Sequence, residues 1–150
     1  MQQIMVQIIR FMRSAYHASR AKPRLEFARL LQHSARMSRD FVNSICRKLP
    51  GAEWSDPWGG GHDAWKVGDK MFACIGTAND GVSVKTPDIE TAQMLIDAGV
   101  GVKAPYFHRS WVRLPFDADE DEMRYRLAAS YDLVRASLTK KVQATLPARS

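Results

Sequence analysis

Residues 62–86 read HDAWKVGDKMFACIGTANDGVSVKT, three strand-like runs parted by two short turns. His62 to Val67 has strand composition, and Gly68-Asp69 is a tight two-residue turn. Lys70 to Gly76 is the returning strand. Asn79-Asp80-Gly81 is another turn, and Val82 to Thr86 is a third strand. Side chains alternate along a strand, so Val82 and Val84 face one side while Ser83 and Lys85 face the other. Links this short join antiparallel strands, because a parallel pair needs a crossover of about a dozen residues or more.

The flanks supply helices. On the N-terminal side, Ser38 is placed to cap a helix running to about Lys48, with Phe41, Val42, Ile45 and Leu49 on one face. Pro50-Gly51 stops it. Trp54 to Trp58 reads as a short extended segment, and Gly59-Gly60-Gly61 as a flexible turn. On the C-terminal side, Pro87 and Asp88 start a helix to about Ala98, closed by Gly99. Pro105 to His108 is a short extended piece. Ser110 to Phe116 is a strand with Val112 and Leu114 opposite Trp111 and Arg113. The acids at 117–122 open a last helix, whose stripe is Met123, Leu127, Tyr131, Val134 and Leu138, with Lys140 and Lys141 at its far end. Hairpins without strand–helix–strand alternation predict an α+β two-layer domain, an antiparallel sheet with helices on one face.

The 150 residues suffice for one domain, and no apolar run reaches the ~18 residues that span a bilayer. The net charge of +6 suggests nucleic acid until it is located. Residues 1–36 carry seven basic residues against Glu26 alone, which is the whole excess. Residues 37–150 hold fifteen of each sign, so any phosphate-binding surface there is a local patch. Residues 1–36 therefore read as a loosely attached basic extension, partly helical or disordered, 37–142 as the domain and 143–150 as a tail. The extension fits a targeting presequence, a basic arm, or an upstream addition before a start at Met37. Cys46 and Cys74 read as reduced core thiols, which suits the cytoplasm.

Motifs for chemistry are sparse. No nucleophile elbow, phosphate loop or metal-ligand spacing is present, and no cofactor is expected. His108 as a general base would lack a nucleophile and an orienting acid nearby in sequence, so an enzyme is not expected. One constellation remains: Trp65-Lys66, Lys85, Tyr106, His108, Arg109, Trp111 and Arg113 mix cations with aromatics on adjacent strands. Cations neutralise phosphates and aromatics stack on bases. Equally, the tryptophans are core and the cations solvate an open sheet face, since neighbours along a strand face opposite ways.

The segments LPGAEWSDPWG (49–59), HDAWKVGDKMFACI (62–75), GVSVKT (81–86), APYFHRSWVRLPF (104–116) and LAASYDLVRASLTKK (127–141) resemble, as an ordered set, the MmcQ/YjbR family over about residues 38–142. The resemblance implies a small CyaY-like, or double-wing, α+β domain that binds DNA. It implies site residues Lys66, Lys85, His108 and Trp111, with Arg109 beside them. Lys66 and Lys85 would hold phosphates, Arg109 would reach a groove edge, His108 would add a donor and Trp111 would support the site. A neutral domain making about three or four phosphate contacts would bind weakly, with a salt slope near −3 and little sequence preference. The frataxin-like side of the fold name suggests iron, but Arg39, Arg47 and Lys48 outnumber Asp40 on the first helix and speak against it.

The expectation is thus a cytoplasmic, non-enzymatic, monomeric DNA-binding domain. The alternative is a small-molecule or protein-binding module in which Trp65, Lys66, Lys85, Tyr106, His108 and Trp111 line a pocket for an anionic ligand. Geometry separates the two: a concave site favours the ligand, a flat or convex ridge with protruding lysines favours DNA.

Overall fold

A computed structural model describes residues 23–150; the apolar stretch Ile4–Met12 and the arginines at 10, 13 and 20 lie outside it. Among the described residues the first helix, α1, spans Pro23–Lys48. The expected start at Ser38 is therefore corrected. Pro23 occupies a favoured first helical position, and no glycine or proline follows until Pro50, so nothing interrupts the helix before Ser38. The assumed boundary at Met37 falls inside this helix. Val42 and Cys46 are buried in its C-terminal half, while Leu25 and Leu30 in the N-terminal half are exposed.

The sheet has six strands: β1 Ala52–Ser55, β2 Asp63–Val67, β3 Lys70–Ile75, β4 Gly81–Lys85, β5 Val102–Lys103 and β6 Trp111–Pro115. Their order is β1-β2-β3-β4-β6-β5, and every neighbouring pair is antiparallel. Gly68 and Asp69 both have positive φ, the type I′ geometry whose twist suits a two-residue hairpin. Helices α2 (Ile89–Asp97) and α3 (Glu120–Ala136) join α1 on one face, as expected for this α+β class. Val82, Val84, Val112 and Leu114 are fully buried beneath them beside Leu127, Tyr131 and Val134, as the alternation predicts.

Three details depart from the sequence reading. Trp65 pairs with Ala73 but Lys66 with Met71, so Phe72 is the extra residue of a β-bulge. Its ring meets Tyr131 edge to face, and its carbonyl accepts a hydrogen bond from Ser130 Oγ at 2.6 Å. The segment 105–108 turns rather than extends, and β5 before it is an edge strand. The last helix stops at the Ser137 cap, and Thr139 caps a short α4, Lys140–Thr145, so Lys140 and Lys141 open a helix instead of closing one. The expected tail is strapped back: Arg149 pairs with Asp132 at 2.9 Å and Arg135 donates to the Pro147 carbonyl.

One close approach is testable. A Cβ on Gly81 would lie 2.3 Å from the Leu114 carbonyl oxygen, a backbone atom of β6. Gly81→Ala is expected to cost about 1–3 kcal/mol by forcing β4 from β6. Chemical denaturation checks this, and an unchanged midpoint would refute it.

Candidate functional site

Among the described residues, no helix covers the second face of the sheet. Strand register places two rows of side chains on it. On β1 to β3 one row runs Glu53, Lys66 and Met71, and on β4 and β6 Lys85 pairs with Trp111. The other runs Ser55, Ala64, Cys74, Ser83, Arg113 and Val102. The β1–β2 loop brings Trp58 and His62, and the β5–β6 loop brings Tyr106 and Phe107, to a cleft of about 580 Å³ with Met71, Cys74, Ser83 and Arg113 also in its lining.

The β1–β2 loop is pinned at its ends. Asp56 Oδ2 accepts from the Gly61 N–H at 2.9 Å, and Gly59, Gly60 and Gly61 all take positive φ, which glycine adopts without strain. That Gly61 hydrogen bond is the main cause holding the Asp56 carboxyl below the usual carboxylate range. Arg39, from α1, donates to Gly61 O and to Asp63 Oδ2, both at 2.6 Å, and to Asn79 Oδ1 at 3.3 Å. Asp63 also accepts from Asn43 Nδ2 and Trp54 Nε1, each at 2.7 Å. Burial alone would raise the Asp63 carboxyl; the hydrogen bonds from Arg39, Asn43 and Trp54, with the Arg39 charge, outweigh it and hold the group below its ordinary range.

The Arg113 charge at the cleft is already paired. Arg113 Nη1 lies 3.2 Å from Asp80 Oδ2. His62 Nδ1 faces Asp56 Oδ1 at 3.5 Å without a hydrogen bond, and its ring meets Trp58 edge to face at 4.9 Å. The Cys74 thiol on the floor is pushed up to about 11 by burial, with the Asp63 charge adding to the effect. Both cysteines are free and buried.

None of Lys66, Lys85, His108, Arg109 and Trp111 lines the cleft. Lys66 is half-buried on β2, and Lys85 ends β4 as the register partner of Trp111. Trp111 stacks on Phe107 at 4.6 Å, and so backs the cleft wall. Arg109 is exposed, and the exposed His108 turns Nδ1 to Ser110 Oγ at 2.9 Å. The six-residue pocket expected for an anion is corrected. Trp65 is buried on the opposite face, where Nε1 donates to Asn43 Oδ1, and only Tyr106 of that set reaches the cleft. Trp58, His62, Met71 and Phe107 also line the cleft, outside the sequence expectation; the parity of Cys74, Ser83 and Arg113 is the sequence signal for its floor. Among the described residues, no three His, Cys, Asp or Glu side chains cluster as a metal site, and no helix is long and apolar enough to cross a membrane.

Residues 47–133 match the family model described as YjbR. The chain belongs to the YjbR family. Among solved structures, this YjbR chain is similar to the Deinococcus radiodurans protein DR2400, whose crystal structure bears the family-model domain DUF419. The TM-score is 0.64 at 23% identity, covering 71% of this chain and 85% of that one, a likeness of fold. No curated protein matches. The matched span begins at Arg47, so Arg39 and Asn43, which hold the loop and Asp63, precede it.

Proposed function

We propose that this YjbR chain is a non-enzymatic binding module whose open-face cleft takes a small ligand. The concavity carries this reading: about 580 Å³ lies within the ~300–1,000 Å³ of small-molecule sites and is flanked by aromatic side chains. The raised Cys74 thiol stays protonated at neutral pH, which supports binding over nucleophilic catalysis. A saturation-transfer screen of planar and aliphatic fragments tests it, using the native chain and Ser83→Phe, which fills the floor. Fragments whose contacts map to the cleft and vanish in Ser83→Phe are the expected result. Fragments contacting other surfaces, or none binding, would refute it.

A second reading is weak, largely non-specific binding of duplex DNA. It is favoured by Lys66, Lys85 and Arg109 each being at least partly exposed, and by the lack of an ion pair to any of the three among the described residues. Here anisotropy of labelled duplex should fall about 50-fold in affinity between about 50 and 200 mM salt, and K66E/K85E should abolish binding. Equal affinity of the double variant would exclude this surface.

A further inference from the structure

We infer that the cleft selects a flat, uncharged ring with a hydrogen-bonding edge, stacked on Trp58 and Tyr106, rather than an anion. The inference rests on the cleft being a ligand site.

Two exposed aromatics from different loops line this one cleft. Trp58 is 59% exposed and Tyr106 fully so. Exposed aromatics lose favourable contact with nothing in return unless something covers them. Tyr106 also sits at φ +66°, where a side chain is strained and glycine is the usual occupant. A tyrosine held there at a cleft rim is the kind of local strain that collects at ligand clamps. Trp58 precedes Gly59 and Gly60, around whose Cβ positions there is open space within 4 Å, so the loop can close over a ring while its ends stay pinned. Phe107, stacked on Trp111, gives a backed aromatic wall.

Electrostatics decides against an anion. Arg113 faces Asp80, and Asp56 lies beside His62, so an incoming negative charge meets a carboxylate at both places. None of Lys66, Lys85, His108 and Arg109 lines the cleft to tip the balance. The Arg113–Asp80 pair instead offers adjacent N–H donors and a carboxylate acceptor, with the Ser83 hydroxyl nearby in the floor row. That pairing complements the donor–acceptor edge of an amide-like nitrogen heterocycle, the chemistry of a nucleobase.

Tryptophan-fluorescence titrations of the full chain with adenosine, guanosine, uridine, adenosine monophosphate and inorganic phosphate test this. At least one nucleoside should bind, the monophosphate no tighter than adenosine, and phosphate should not compete. Trp58→Ala and Tyr106→Ala, both at exposed positions, should each weaken binding about tenfold, while Tyr106→Phe keeps it. Calorimetry gives the readout for Trp58→Ala. A monophosphate more than about tenfold tighter than adenosine, with phosphate competing, would overturn the inference. If aliphatic fragments occupy the cleft and no nucleoside does, the flat-ring inference falls and the ligand site stands; if neither occupies it, both fall. A short deoxyadenosine strand separates two sources of the ring. Salt-sensitive binding tighter per base than adenosine assigns an unpaired base of a strand, and equal binding assigns a free small molecule.

Discussion

Replacing Asp63 by alanine is expected to lower the unfolding free energy by about 3 kcal/mol. The substitution removes the acceptor for three side chains from two elements, Arg39 and Asn43 of α1 and Trp54 of β1. Breaking a fully buried ion pair costs about 3–5 kcal/mol, because the surviving charge is stranded. Here Arg39 is 19% and Asp63 13% exposed, so water relieves part of that penalty, and the lower end applies. Asp63→Asn should cost less, since an amide oxygen still accepts one of the donors. The same network sets an acid limit. The folded carboxyl is held below its unfolded value, near 3.9, so its contribution is present above that value and is lost as pH falls through the lower folded one. Urea denaturation from about pH 7 to pH 3 should show stability falling at the acid end, with a shallower fall in Asp63→Asn. A parallel decline in both proteins would show that other carboxylates govern acid unfolding.

Ser130→Ala removes only an oxygen, yet it too is expected to cost about 3 kcal/mol. Ser130 is fully buried on α3. Its Oγ donates to the Phe72 carbonyl at 2.6 Å and accepts from the Lys85 N–H at 2.8 Å. The β3 bulge breaks the local ladder, so this hydroxyl pairs a backbone acceptor and a backbone donor from two strands. Alanine leaves both buried and unpaired, at about 1–3 kcal/mol each. Amide exchange at Lys85 should accelerate along with the loss of global stability. A loss under about 1 kcal/mol would mean that the strands re-pair without the serine.

The hairpins were legible because turn chemistry is local: Gly68-Asp69 specifies its own turn, and the parity of Val82 and Val84 specifies the buried face. The start of α1 was not, because Ser38 is a competent cap and only the lack of a breaker upstream argues against its use. The bulge was also hidden. Nothing in KMFACI marks Phe72 as the residue that steps out of register; the serine that pairs its carbonyl lies 58 positions away. Chemical type in the sequence points to cations beside aromatics, and so to Lys66, Lys85 and Arg109. The cleft depends instead on where two loops fold over the sheet, which strand periodicity does not report. Trp65 and Lys66 show the limit clearly, since adjacent residues sit on opposite faces, one in the core and one outside the cleft.

The sheet ends on one side at β1, four residues long, and on the other at β5, only two. An unpaired strand edge is a template on which another chain can add by backbone hydrogen bonding, and so a route to aggregation. Margins this short offer few such bonds in succession. The fold thus gives stray β-strands little to grip at its borders.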